Sequence, residues 1–230
     1  MVNRHYHKLK AHIEYRRFRL LLLVTLLVLI IPALSSFGFL GLILFVVSLS
    51  FLLIQSAIVA SMNMPKKAWI RYLLIAMVIL LYWLELVGIN TGWVNMAKFV
   101  VLAATFFFVT FFLIRYLRKA RKVTVDVIIV SINIYLLLGI SFGSLTYFIH
   151  LIIPGSYNIP STITSIAFTT FIYYSFITMS TVGYGDITPV MHESQTLAYF
   201  IAITGQLYVA IIIAFLVGKL LISKDEIKQE

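Results

Sequence analysis

From Leu20 to Pro65 the chain carries no charged residue. A bilayer is crossed once by roughly 20 apolar residues, so the run is too long for one crossing and has to hold two. The break between them is expected at Pro32 to Gly38, where proline, two serines and a glycine interrupt the pattern. Composition points the same way: 62% of the residues are hydrophobic and 11% charged, which excludes a soluble globular domain. The fold class expected is all-α integral membrane.

Taken in order, the apolar segments give six spans: Phe18 to Leu34, Phe37 to Ser61, Ala68 to Val87, Trp93 to Ile114, Val127 to Ile153 and Leu197 to Leu221. Short polar or glycine-bearing connections separate them, NMPKK at Asn63 to Lys67 and GINTG at Gly88 to Gly92. Between spans five and six lies an outer loop, Pro154 to Pro160, then a shorter apolar segment, Thr162 to Thr178, of helix length. Ser161 or Thr162 is its expected N-cap. The corresponding division is a basic segment 1–19, a four-helix membrane unit 20–122, a pore-type unit 123–222 and a short tail 223–230. No cleavage site follows the first span, which is expected to stay as an anchor.

A formal net charge of +10 raises the question of nucleic acid, and the placement of the charges answers it. With the N-terminus cytoplasmic, every Lys and Arg except Lys98 falls at an inner membrane edge, the bias that orients helical membrane proteins. Both termini are therefore expected inside, in the plasma membrane. The basic run Arg115, Arg118, Lys119, Arg121 and Lys122 is a candidate contact for anionic lipid, and no nucleic-acid partner is expected. His5, His7 and His12 are not spaced to share one helical face, so a metal site there is not expected. The absence of cysteine excludes disulfides and thiolate metal ligands.

The stretch Thr178 to Asp186, TMSTVGYGD, carries the chemistry. Gly183 and Gly185 adopt positive φ without steric cost, so the run Thr181, Val182, Gly183, Tyr184, Gly185 can turn successive carbonyls toward one side. Four such loops around an axis would replace the water shell of a dehydrated cation, with the Thr181 hydroxyl adding an oxygen at the inner end. Potassium is the ion that fits, at Thr181, Val182, Gly183 and Tyr184. The plain alternative, a Gly-Tyr-Gly-Asp surface turn, sits poorly between two apolar helices. The C-terminus of the segment before the run would face its ions with partial negative charge.

Thr181 to Asp186 resembles, residue for residue, the signature of the potassium channel family, and the resemblance extends over about Val127 to Leu221. It implies six transmembrane helices, a re-entrant pore helix and a selectivity filter in a homotetrameric pore, with no cofactor beyond the permeant ion. By the same resemblance, Tyr173 and Tyr174 stand where many members carry two tryptophans, implying an aromatic cuff in which the Tyr173 hydroxyl bonds Asp186. Ile177 stands where some bacterial members place a glutamate that pairs with that aspartate, so this brace is missing. Gly205 matches the family's hinge glycine in the inner helix, although a small residue for close helix packing explains it equally well. Gln206 beside it is expected to bond a neighbouring helix, and Thr188 at the outer mouth implies weak external block by tetraethylammonium. His192 and Glu193 read as solvated loop residues, with pH sensitivity as the sharper option.

The architecture resembles voltage-gated members, yet steep voltage dependence takes about 3 to 4 gating charges per subunit. Within span four there is Lys98 alone, which is expected to pair with Glu85. A strong voltage sensor is therefore not expected, and the tail is too short for a folded regulatory domain. The function expected is passive potassium conduction. A potassium transporter subunit and a non-conducting regulatory subunit are the alternatives. No nucleophile, base or metal constellation suggests an enzyme.

Overall fold

The computed structural model describes residues 2–33, 38–61, 68–86, 88, 92–120, 123–161 and 167–228. The chain is mostly helical: α1 (Val2–Ile30), α2 (Phe39–Ser61), α3 (Ala68–Leu86), α4 (Gly92–Lys119), α5 (Val125–Ile152), α6 (Phe168–Met179) and α7 (His192–Lys228). Two short strands, β1 (Tyr157–Asn158) and β2 (Thr188–Pro189), pair antiparallel. Among the described residues four helices are long and apolar enough to cross a membrane: α2, α4, α5 and the His192–Lys219 part of α7. Helix α3 supplies a shorter apolar stretch, Ile75–Leu84. Helix α1 is apolar only beyond Arg19, and the Pro32 to Gly38 break and the NMPKK connection lie largely or wholly outside the described residues.

Helix α1 is continuous from Val2, so the basic segment and the first apolar span share one helix. Lys, Arg and Glu are good helix formers, and nothing between Val2 and Ile30 breaks the backbone. The chain forms two compact units, and α4 and α5 each contribute residues to both.

The first unit holds α1, α2 and α3 with residues 108–118 and 124–134. Its interior is largely aliphatic, with Leu21, Val28, Leu49, Leu52, Leu53, Val78, Leu113 and Val130 buried beside Phe18, Phe45, Tyr82 and Phe112. Side-chain amides cross between helices. Gln55 Nε2 donates to the Arg17 carbonyl at 3.3 Å and Asn133 Nδ2 to the Phe18 carbonyl at 3.1 Å. Such bonds hold helices together in a lipid environment, where apolar side chains gain little by leaving lipid tails for each other. Phe18 also packs on Tyr116 with centroids 4.8 Å apart.

The second unit holds residues 91–107, 119–123 and 135–230. Helix α6 lies against α5 through two glycines. A Cβ on Gly143 would come within 2.9 Å of the Ile172 Cα, and one on Gly139 would meet the Phe176 ring. The Ser175 hydroxyl reaches the Gly139 carbonyl at 2.6 Å, a bond available only at that close approach. Behind α6 an aromatic layer forms from Phe99, Tyr147, Phe168, Phe171 and Tyr157, with centroids 4.6 to 6.1 Å apart.

Candidate functional site

Helix α6 spans twelve residues and starts later than its sequence suggested. Its N-cap is Ala167, extended at φ −116° and ψ 164° and without a side-chain cap. The cap expected at Ser161 or Thr162 is therefore corrected: the helix begins at Phe168, and residues 162–166 lie outside the described residues. The first turn closes on the Ala167 carbonyl, which accepts from Thr170 N–H at 3.1 Å, and apolar burial of Phe168, Phe171 and Ile172 stands in for capping.

At its C-terminus α6 leaves carbonyls without helical donors, and the chain folds back onto them. Ser180 N–H donates to Phe176 O at 2.9 Å and Thr181 N–H to Thr178 O at 3.1 Å. The Ile177 carbonyl then accepts from both Val182 N–H, at 3.1 Å, and Gly183 N–H, at 3.2 Å. Among the described residues every peptide is trans. In a trans peptide N–H and C=O point in opposite directions, so the Ser180, Thr181 and Val182 carbonyls point away from the helix end. Residues 180 to 186 are all exposed, so this side of the run is open.

The backbone alternates in hand along the run. Thr181, Gly183 and Gly185 have φ of 63°, 52° and 78°, while Val182 and Tyr184 between them are not in the left-handed region. For Thr181 this is a strained conformation, because a β-branched side chain crowds the backbone at positive φ. It persists because the hydrogen bonds to Thr178 and Ile177 over-determine the turn. Sequence reasoning assigned the unusual backbone to the glycines alone, and Thr181 carries no residue-type signal of its own.

The two tyrosines of α6 diverge. Tyr173 is exposed, and its hydroxyl donates to Asp186 Oδ2 at 2.8 Å. Tyr174 is buried and packs edge-on against Tyr157, centroids 5.4 Å apart. The Asp186 bond raises the Tyr173 phenol above its ordinary value. Neutral phenol is the bonded form, so this contribution is complete below about pH 10 and is lost only as pH climbs through the raised value. Tyr173→Phe is expected to lower thermal stability at neutral pH by about 1 kcal/mol or less, since the bond is exposed. A melting curve that is unchanged at pH 7 would show that water serves Asp186 equally well.

Beyond Asp186 the chain buries Ile187 and enters β2, where Thr188 faces Asn158 and Pro189 faces Tyr157. Sequence reasoning read 154–160 only as an outer loop. It missed this pairing and the fully buried Ser156 and Ser194 beside it. A serine three residues after the N-cap Met191, accepting from the Met191 N–H at 3.2 Å, is half of a capping box, but with methionine at the cap and serine at the third position the sequence carries no such signature.

Gly205 is buried in an unbroken stretch of α7. A Cβ there would fall onto the Met179 carbonyl oxygen and lie 2.8 Å from its carbon, so close approach to the end of α6 explains this glycine. Gln206 is exposed on α7. So are His192 and Glu193 at its start. Lys98 is fully buried, its Nζ 4.8 Å from the Phe99 ring centroid, and the Glu85 side chain expected to pair with it lies outside the described residues. Arg115, Arg118 and Lys119 are exposed at the end of α4, with the Arg115 guanidinium 5.6 Å from the Phe111 ring centroid. Arg121 and Lys122 lie outside the described residues. Lys219 donates to the Ala120 carbonyl.

Residues 123–221 match the family model described as an ion channel. No curated protein and no solved structure matches the chain. The matched region takes in α5, α6, the glycine run and most of α7, and with the apolar helices it supports an integral membrane protein of ion-channel type.

Proposed function

We propose that the chain is the subunit of a potassium-selective channel, in which four copies bring their Thr181 to Gly185 runs around one axis. The observation that carries this reading is the fold-back at the end of α6: amide N–H groups tied to Ile177 and Thr178 turn the Ser180, Thr181 and Val182 carbonyls to the open side. Carbonyls so presented by four copies replace the hydration shell of a cation, and the glycines allow the alternation that keeps them in file. Assembly is favoured by α7, whose membrane-crossing part is only 11% buried within one subunit. Tyr199, Phe200, Ile203, Leu207 and Ile211 are among its exposed side chains.

In this reading α1 and α3 join the four long apolar helices to make six spans, and both termini are cytoplasmic. Anionic lipid meets the exposed Arg115, Arg118 and Lys119. Lys98 is the lone basic residue of α4 before Arg115, so opening depends weakly on voltage.

The test is the reversal potential of the purified full chain in planar bilayers under a potassium-sodium gradient, followed by open probability across voltage. Reversal near the potassium potential is expected, lost in Gly183→Asp, with shallow voltage dependence. Reversal near zero would mean a non-selective pore. A steep voltage dependence would contradict the single-charge argument.

A further inference from the structure

Ser194 and Ser156, 38 residues apart, form a buried contact just outside the conducting run. The Ser156 carbonyl accepts from the Ser194 hydroxyl at 2.7 Å and from Val190 N–H at 2.9 Å, so both of its lone pairs are engaged. The Ser194 oxygen also accepts from Met191 N–H at 3.2 Å, and it lies 2.8 Å from the Met191 carbonyl oxygen, which shares its one proton with the nearer Ser156 carbonyl. Gln195 Nε2 reaches the Val190 carbonyl at 3.2 Å. One hydroxyl thus joins the loop before α6 to the start of α7, and the Ser156 carbonyl it bonds also takes the Val190 N–H at the end of β2.

Pro189 is tolerated in β2 because it faces Tyr157 at a non-hydrogen-bonded position, where an N–H would point away from β1. The ladder bond falls one step further on, from Val190 N–H to the Ser156 carbonyl, and Ser194 adds a second donor to the same carbonyl. Strand β1 is itself anchored, because Tyr157 is buried against Phe171 and Tyr174 on α6, with centroids 5.4 Å away in each case. The path from Ser194 through Ser156 and Tyr157 therefore ends on the helix that carries the run.

Carbonyls that face one another repel when no cation lies between them, so a run emptied of ions depends on its peripheral bonds. At the inner end these are the bonds to Ile177 and Thr178. At the outer end the Tyr173 bond to Asp186 is exposed, and Ile177, one helical turn beyond Tyr173, offers no polar side chain. The Ser194 contact is buried, where exchange with water competes least.

We propose that Ser194 is a positioning residue of the outer mouth: its bond to the Ser156 carbonyl holds β2 in place and so sets how long the Thr181 to Gly185 carbonyls keep their conducting arrangement when external potassium is low. The proposal rests on the potassium-channel reading above.

The test follows macroscopic current through the full chain in planar bilayers while external potassium is switched from high to low. Loss of one buried bond is expected to make the current of Ser194→Ala decay about fivefold to tenfold faster at low potassium. Reversal potential and current at high potassium should stay as in wild type, and Ser194→Thr, which keeps the hydroxyl, should restore slow decay. Decay unchanged by the alanine, or accelerated equally at high and low potassium, overturns the proposal while leaving the channel reading intact. Wild-type current that reverses near zero removes the potassium-selective reading itself. A second readout needs no variant to fold: the Val190 amide of the wild type should exchange with deuterium severalfold more slowly in potassium than in sodium, and equal exchange overturns the clamp.

Discussion

Gly205→Ala is expected to destabilise the folded protein by about 2 to 3 kcal/mol, the upper part of the range for overpacking, and to disturb permeation as well. The added methyl would land on the Met179 carbonyl, and backbone cannot swing aside as a flexible side chain would. Either α7 moves out or the last turn of α6 moves back, and that turn supplies Ile177 and Thr178, the acceptors that orient the Thr181 and Val182 peptides. A control lies on the same helix. Gly218 has nothing within 4 Å of a built Cβ, so Gly218→Ala relieves helix entropy and should be neutral or stabilising by about 0.5 to 1 kcal/mol. Thermal unfolding of the two purified variants against wild type checks the pair. Equal stability of both would mean that α7 yields at Gly205 at little cost, leaving a bending role as the better account of this glycine.

What the sequence displayed and what it hid divide along the range of the interactions. The apolar runs displayed the long helices α2, α4, α5 and α7, because the length needed to cross hydrocarbon is visible residue by residue. The turns at Gly183 and Gly185 were readable from the glycine spacing, whereas the positive φ of Thr181 was not. The start of α6 was not, since Ser161 and Thr162 look like caps whereas Ala167 does not, and packing of Phe168 and Phe171 decided the boundary. Charge placed a membrane edge near residue 19 and could not show that the same helix continues to Val2. The Ser194 to Ser156 contact joins two hydroxyl-bearing residues of no periodic pattern across 38 positions, and nothing local announces it. Tyr173 and Tyr174 are adjacent and chemically alike, yet helical geometry sends one to Asp186 and the other to Tyr157.

Gly183→Ala should abolish potassium selectivity without any steric clash, and the contrast with Gly205 is what makes it informative. At Gly183 φ is +52° and a built Cβ meets nothing within 4 Å, so the methyl has room. The whole cost is in handedness: an L residue held in the left-handed region loses about 1 to 2 kcal/mol. In the proposed tetramer the cost is incurred at four positions around one ion path, roughly 4 to 8 kcal/mol in total, enough to favour a run with turned carbonyls over the conducting one. Gly155 supplies the comparison. It has φ of +81° and equally open space, but it lies in the loop after α5 and outside the ion path. Gly155→Ala should therefore lose similar stability per subunit in a melting curve while its current still reverses near the potassium potential. Selective current from Gly183→Ala would show that the alternating hand is dispensable for conduction, and the carbonyl file would lose its principal support. Loss of selectivity in both variants would mean instead that strain anywhere in the outer half reaches the ions, so that the measurement reports general stability and not the geometry of the run.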